Sequence, residues 1–153
     1  VAQHRHMNTN FLAGLLKTPA FRRSEKEALD RAKFWLDTIG LTDLSNRSAG
    51  NLAYGQQRRL EIARCMCTQP KILMLDEPAA GLNPKETEDL NNLIRQLRDQ
   101  FDVSVLLIEH DMKLVMDISD HIFVVNQGTP LAEGKPAEVR DNPAVIKAYL
   151  GES

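Results

Sequence analysis

Ile72-Leu73-Met74-Leu75-Asp76-Glu77-Pro78 is the stretch that decides the fold, because a short continuous apolar run ends abruptly in two carboxylates. A second apolar run, residues 103–108, ends at Glu109, and an amphipathic helical pattern over residues 84–100 separates the two runs. This strand–helix–strand order predicts a right-handed parallel βαβ unit. Parallel strands are normally covered on both faces, and we expect both faces to be covered here. The fold class is therefore α/β.

The two carboxylates lie where α/β folds bind ligands, beyond the carboxyl end of a strand. Asp76 can supply an oxygen ligand to Mg²⁺, directly or through water. Glu77 can orient or deprotonate an attacking water. The alternative for this segment alone is a strand followed by a solvated acidic turn.

A histidine follows the second predicted strand, in Leu106-Leu107-Ile108-Glu109-His110-Asp111. A lone histidine at such a place is more often structural than catalytic. Because the two strands are predicted to be parallel, their ends face one crevice. His110 could then donate a hydrogen bond to a terminal phosphate bound beside Glu77.

A glycine precedes a predicted helix in Leu52-Ala53-Tyr54-Gly55-Gln56, and that helix extends to about residue 68. Gly55 would allow backbone N–H groups to approach a phosphate closely, and the positive end of the helix dipole favours an anion. Arg58, Arg59 and Arg64 add positive charge nearby. For Arg58 and Arg59, a solvated helix face is an equally good interpretation.

The flanking segments carry helix and turn signals. Ser24 and Glu27 form a capping box that predicts a helix start, and Gly40 predicts its end. The first twenty residues predict only a loop or short helix. After a helix over residues 112–118 and a strand over 122–125, Gly128 predicts a hairpin. Pro136 and Pro143 each predict the start of a short helix.

Composition excludes several classes of protein. The chain has 153 residues and a net charge of −2, so it has no basic field of the kind that holds nucleic acid. No apolar run approaches the roughly 20 residues that span a bilayer. Cys65 and Cys67 are two apart in a predicted helix and point to different faces. We therefore expect two buried, reduced thiols, neither a disulfide nor a metal pair.

Together these motifs resemble those of the ATP-binding-cassette (ABC) ATPases, in their order along the chain. Leu52-Ala53-Tyr54-Gly55-Gln56 is similar to the signature, usually Leu-Ser-Gly-Gly-Gln. The run from Ile72 to Asp76 is similar to the Walker B strand, Glu77 to the catalytic glutamate, and His110 to the switch histidine. Ala80-Gly81-Leu82-Asn83 lies where the family has its D-loop, usually Ser-Ala-Leu-Asp.

The resemblance implies an incomplete P-loop NTPase fold that binds ATP and Mg²⁺. It implies a partial helical subdomain at residues 1–54, a signature helix and RecA-like core at 55–126, and a C-terminal hairpin with short helices at 127–153. The resemblance also implies that Glu77 and His110 are catalytic residues and that Asp76 binds the metal ion. The implied nucleotide-binding residues are Leu52, Ala53, Tyr54, Gly55, Gln56, Gly81, Leu82 and Asn83.

The match is closer still to the LivG-type ATPases of branched-chain amino-acid importers, through residues 51–64, 14–23, 77–85 and 134–151. In such systems two different ATPase subunits lie under two transmembrane permeases, at the cytoplasmic face of the bacterial inner membrane. A periplasmic binding protein delivers leucine, isoleucine or valine. The resemblance therefore implies a peripheral ATPase that works as a heterodimer, with residues from about 11 to 60 receiving a permease helix.

Several residues depart from the family pattern. No G-x-x-x-x-G-K-[ST] motif occurs, and the only Gly-Lys pair, Gly134-Lys135, precedes Pro136. We expect that roughly 100 N-terminal residues are missing, judged from ordinary domain size, and that this chain alone binds ATP weakly and hydrolyses none. Ala53 replaces the serine of the signature, Tyr54 replaces one of its two glycines, and Asn83 replaces an aspartate. The first two replacements are usual in the subfamily.

Two other functions are compatible with parts of the sequence. One is a non-transport ABC ATPase of the kind that acts in DNA repair or on ribosomes, which would need a long coiled coil or a second cassette. The other is a non-enzymatic module that only docks on partner subunits. Nucleotide binding separates these classes, since a docking module would bind permease subunits without any dependence on ATP.

Overall fold

The computed structural model describes residues 18–150, so the predicted loop or short helix at the N-terminus lies largely outside the described residues. The helices are α1 (Pro19–Thr38), α2 (Tyr54–Met66), α3 (Pro84–Phe101), α4 (Met112–Ile118), α5 (Pro136–Arg140) and α6 (Pro143–Val145). The strands are β1 (Ile72–Asp76), β2 (Ser104–Ile108), β3 (Ile122–Asn126) and β4 (Thr129–Gly134). Short 3₁₀ turns at Thr42–Leu44 and Ala49–Asn51 lie between α1 and α2, and a π-helical turn, Ile146–Leu150, follows α6.

Helix α1 begins earlier than the sequence predicts. Its N-cap is Thr18, whose hydroxyl oxygen accepts a hydrogen bond from the Phe21 N–H at 3.4 Å, and Pro19 occupies the first turn. Proline is tolerated there because its missing N–H has no partner within the helix. The predicted start at Ser24 and Glu27 is therefore wrong, and both residues lie inside the helix.

The end of α1 is confirmed at Gly40. This glycine has a φ of +67°, and the following N–H, of Leu41, donates to the Leu36 carbonyl at 2.8 Å. A left-handed residue just past the last turn closes the helix and satisfies carbonyls that have no partner within it.

Replacing Gly40 with alanine is expected to lower the free energy of unfolding by roughly 1 kcal/mol, because an L-residue pays that cost in the left-handed region. No atom lies within 4 Å of the position that a Cβ would take, so steric clashes add nothing to this free-energy cost. Gly50→Ala is the matched control, since Gly50 also has open space around it but no positive φ. Urea denaturation of both variants checks this, and an equal effect at the two positions would contradict it.

The βαβ prediction is confirmed. Strands β1 and β2 pair in parallel, with Ile72 opposite Ser104 and Asp76 opposite Ile108. Helix α3 connects them and buries its predicted apolar face at Leu90, Leu93, Ile94 and Leu97. The packed face of the sheet, including Leu73, joins these side chains in the larger hydrophobic cluster.

The opposite face of this sheet is open, so the expectation that both faces are covered is wrong for this chain. Ile72, Met74, Leu106 and Ile108 lie on that face, and each is more than half exposed. Alternation along each strand explains the pattern, because these positions are two residues apart and point away from α3. We refer to these four side chains below as the open apolar face.

The C-terminal hairpin and helices form a second, smaller cluster, as the turn signals predict. Strands β3 and β4 pair antiparallel around Gln127 and Gly128, both of which have positive φ. Ile122, Val124, Val139 and Val145 are buried together. The larger cluster extends from Trp35 in α1 to Ile118 in α4. The division at 54/55 and 126/127 stays a prediction.

Across residues 18–150, no helix combines the length and the apolar character needed to cross a membrane.

Cys67 is buried, and burial raises the pKa of its thiol. Cys65 is exposed, so the expectation of two buried thiols is wrong for Cys65.

Candidate active site

The parallel register brings the predicted catalytic residues to one edge of the sheet. The last ladder hydrogen bond runs from the Glu77 N–H to the Ile108 carbonyl, at 2.9 Å. Glu77 therefore lies one residue past the end of β1, and His110 lies two residues past the end of β2. This is the carboxyl edge, where α/β sheets bind ligands.

Glu77 and His110 are in direct contact at this edge. His110 Nδ1 lies 3.4 Å from Glu77 Oε1, and the two side chains are 73% and 53% exposed, respectively. With both side chains open to solvent, the carboxylate can accept a proton from water, and an imidazole N–H can donate a hydrogen bond to an anion. We call this pair the acid–imidazole site.

The backbone at Glu77 is turned out of the strand direction. Its φ is +42°, a left-handed value that costs a non-glycine residue of order 1 kcal/mol or more. The Glu77 carbonyl accepts a hydrogen bond from the Ala80 N–H at 3.1 Å, which closes a tight turn directly after the strand. Such strain is found where a side chain must be aimed in one direction.

Asp76 is exposed and lies on the same side of the sheet as the open apolar face, since it follows Met74 by two residues. Within residues 18–150, no group of three or more His, Cys, Asp or Glu side chains is placed to hold a metal ion. An Mg²⁺ ion at Asp76 would therefore take its other ligands from water and phosphate oxygens, as this ion commonly does. The single carboxylate fits that mode of binding.

Sequence reasoning missed one residue of the site, Glu109. Its side chain is only 2% exposed, and its Oε1 accepts a hydrogen bond from the Ala79 N–H at 3.0 Å. The signal that could have found it is strand alternation, because residue 109 continues the packed side of β2 after Val105 and Leu107. An acidic residue at an inward position needs hydrogen-bond partners.

The predicted signature segment forms the start of α2. Ala53 is its N-cap, and the Ala53 N–H donates to Gln56 Oε1 at 3.1 Å. Leu52 is buried in the larger cluster. Gly55 is also buried, and a Cβ built on it would lie 2.7–2.9 Å from the Oε1, Cδ and Cγ atoms of Glu86. Because Gly55 has no side chain, the Glu86 side chain can pack against the start of this helix.

The segment at 52–56 also meets the predicted D-loop. A Cβ built on Gly81 would lie 3.3 Å from Cε1 of the Tyr54 ring, so the ring packs on the bare backbone of this glycine. Asn83 caps α3, because its Oδ1 accepts from the Glu86 N–H at 3.0 Å while Glu86 Oε2 accepts from the Asn83 N–H at 3.1 Å. Leu82, between them, is partly buried against the larger cluster.

Arg58 and Arg59 of this helix form hydrogen bonds within the fold. Arg58 donates to Glu61 at 3.0 Å and to the Tyr54 hydroxyl at 2.6 Å. The hydrogen bond that Arg58 donates to Glu61 raises the pKa of the Arg58 guanidinium above its usual value. Arg59 donates to the Ile39 carbonyl at 3.1 Å and so joins α2 to the end of α1. A role for Arg58 and Arg59 in holding phosphate stays a prediction.

The predicted site residues thus fall into two groups. Asp76, Glu77 and His110 meet at the sheet edge, whereas Leu52 to Gln56 meet Gly81 to Asn83. Among residues 18–150, no hydrogen bond or ion pair joins the 52–56 segment to Glu77 or His110. The functions assigned to these residues stay predictions.

Two models of known protein families match parts of this chain. A family model described as "ABC transporter" matches residues 1–80, just over half of the 153-residue chain. A second, described as "Branched-chain amino acid ATP-binding cassette transporter", matches residues 129–153. The two matches lie at opposite ends of the chain and agree with each other.

Relatives over the whole chain carry the same description. The high-affinity branched-chain amino acid transport ATP-binding protein BraF of Pseudomonas aeruginosa is 74% identical over 153 residues, which are all of this chain and 60% of the relative. The corresponding protein LivG of Escherichia coli K12 is 67% identical, with the same coverage. The chain therefore spans about 60% of the length of these relatives.

Solved structures show the same fold. MJ1267, described as an ATP-binding cassette of an ABC transporter, matches in its ADP conformation with a TM-score of 0.78 and 30% identity, over 99% of this chain and 60% of that one. A nucleotide-free ATP-binding cassette from an ABC transporter matches with a TM-score of 0.76 and 30% identity, with the same coverage. The architecture is thus that of part of a P-loop NTPase, and the chain belongs to the ABC transporter family of ATP-binding proteins.

Proposed function

We propose that the full-length gene product is the ATP-hydrolysing subunit of an ABC importer that takes up branched-chain amino acids. The observation that carries the proposal is the 3.4 Å contact between Glu77 and His110 at the carboxyl edge of a parallel sheet. The relatives described as branched-chain amino acid transport proteins support the choice of cargo.

Each residue of the edge has a distinct task in this proposal. Glu77 orients the attacking water and accepts its proton, which a carboxylate at this position can do without a covalent step. His110 donates a hydrogen bond to the terminal phosphate and stabilises its developing charge. Asp76 would hold Mg²⁺, directly or through water, and the ion would supply positive charge beside the phosphates.

The remaining parts of the ATP site come from outside this chain. The open apolar face and the exposed Asp76 lie on the same side of the sheet, so a covering segment there would adjoin the nucleotide. We propose that such a segment carries the Gly-rich phosphate loop, which fits relatives that are longer than this chain. A second ATPase subunit would present its own signature segment to this nucleotide. Leu52 to Gln56 and Gly81 to Asn83 of this chain would instead contact the nucleotide bound by that second subunit.

The proposed assembly is a heterodimer of ATPase subunits bound to two permeases on the cytoplasmic face of the inner membrane. A periplasmic protein would deliver leucine, isoleucine or valine to those permeases. Closure of the ATPase pair around nucleotide would change the contact with the permeases and so couple hydrolysis to transport.

The isolated 153-residue chain is expected to bind ATP more weakly than about 1 mM and to release no phosphate from it. The physical reason is that its sequence contains no G-x-x-x-x-G-K-[ST] motif to hold the phosphates. A phosphate-release assay in the presence of azide, with the Glu77→Gln variant as control, measures this. Azide-resistant turnover that disappears in the variant would contradict the expectation.

The proposed function is tested with the full-length gene product, reconstituted with its permeases in vesicles. We expect ATP hydrolysis and ATP-dependent uptake of radiolabelled leucine, isoleucine or valine, both abolished by Glu77→Gln. ATP-dependent uptake of a different solute would replace the proposed cargo. Binding to the permeases without any effect of ATP would favour a docking module.

A further inference from the structure

We propose that Glu109 is a positioning residue that holds the turn after Glu77 and the backbone of His110 in fixed relation to each other. The inference deepens the proposed function and rests on it for its catalytic consequence. The structural part, a buried carboxylate that joins the two segments, stands on contacts within residues 77–110.

The burial of Glu109 sets it apart from the other acidic and imidazole groups at this edge. Its side chain is 2% exposed, although the side chains of Glu77 and His110 are each more than half exposed. A carboxylate removed from water costs free energy unless hydrogen bonds replace its hydration. The contacts of Glu109 must therefore be favourable ones, and they identify what it holds.

One carboxylate oxygen anchors the turn after β1. Glu109 Oε1 accepts from the Ala79 N–H at 3.0 Å, across a separation of thirty residues. The Ala79 carbonyl in turn accepts from the Leu82 N–H at 3.1 Å, and the Ala80 N–H donates to the Glu77 carbonyl at 3.1 Å. Ala79 thus belongs to both of two overlapping turns, 77–80 and 79–82, and fixing it constrains both Glu77 and the loop that contains Gly81.

The other carboxylate oxygen faces His110. Glu109 Oε2 accepts from the His110 N–H at 3.3 Å and lies 4.0 Å from His110 Nδ1, whose contact with Glu77 Oε1 is 3.4 Å. Hydrogen bonds to an ionised acceptor are roughly twice as strong as those between neutral groups. One carboxylate therefore contacts both segments that carry the acid–imidazole site.

This arrangement makes a prediction that separates the charge from the shape of the side chain. Glu109→Ala removes both acceptors. Glu109→Gln keeps an oxygen that can still accept from the Ala79 N–H, but its amide NH₂ then faces the His110 N–H, donor against donor. The turn after β1 should therefore be strongly destabilised in the alanine variant and partly destabilised in the glutamine variant.

The test uses the full-length gene product and two readouts. The first is amide hydrogen exchange in the peptide covering residues 77–82, and the second is the kcat and KM for ATP. The matched control is Glu133→Ala, which also removes a carboxylate beside a histidine, because Glu133 Oε1 lies 3.0 Å from His121 Nε2, but at an exposed place on the hairpin. Urea denaturation shows that each variant remains folded.

For Glu109→Ala we expect exchange in residues 77–82 to accelerate at least tenfold and kcat to fall at least tenfold, with KM changed by less than threefold. Glu109→Gln should lie between this variant and the unmodified protein, and Glu133→Ala should match the unmodified protein in both readouts. Unchanged exchange in Glu109→Ala overturns the proposal, and so does faster exchange with an unchanged kcat. If the unmodified protein hydrolyses no ATP, the proposed function fails, and the exchange result alone decides whether Glu109 holds the turn.

Discussion

Glu77→Gln is expected to lower the kcat of ATP hydrolysis by the full-length gene product by about 10²–10⁴-fold, which is the usual contribution of a general base. Glutamine has nearly the same size and can still contact His110, but its amide cannot take a proton from water. The KM for ATP should change little, since the carboxylate contacts His110 and is not assigned to nucleotide binding. Steady-state phosphate release over a range of ATP concentrations measures both constants.

Glu88→Gln is the control for this variant, because it removes a carboxylate that is also exposed, on the surface of α3. It should leave both kinetic constants unchanged. A Glu77→Gln protein that retains more than a tenth of the unmodified kcat would contradict the assignment of Glu77 as the general base. A rise in KM with an unchanged kcat would instead place Glu77 in nucleotide binding.

The second large effect concerns the core under the site. Leu97 is completely buried in α3, within the same hydrophobic cluster as Leu73 of β1. Leu97→Ala is expected to lower the free energy of unfolding of the chain by about 2–5 kcal/mol, because it removes buried methyl groups and leaves a cavity. Since domains are stable by only about 5–15 kcal/mol, this change removes a large share of the total.

Leu29→Ala makes the same chemical change in a helix, at a position that is more than half exposed. It should cost less than about 1 kcal/mol, as surface substitutions usually do. Urea denaturation of the two variants under identical conditions compares them directly. Equal losses at Leu97 and Leu29 would show that α3 does not pack against the sheet as described.

The order and pairing of β1, α3 and β2 were predictable because apolar periodicity and the handedness of parallel crossovers leave few alternatives. The meeting of Glu77 and His110 followed from the same rule, since parallel strands end at one edge. Gly40 was predictable as a helix end because a left-handed residue favours glycine.

Other features depend on contacts that local sequence does not reveal. Two cap signals compete near the start of α1, and the Thr18-Pro19 pair prevails over Ser24 because a proline can only begin a helix. The packing of Tyr54 on Gly81 joins segments that are distant along the chain. The open apolar face differs from expectation because burial of a sheet face depends on what else packs on it, which strand periodicity does not specify.

The central claim is that the ends of β1 and β2 face one nucleotide, and a structure of the full-length Glu77→Gln protein with ATP and Mg²⁺ tests it most directly. Our account predicts the terminal phosphate within about 3 Å of the His110 imidazole, a hydrogen-bonding distance, with the metal beside Asp76. A terminal phosphate bound away from this edge, or a His110 side chain turned into the protein interior, would contradict it.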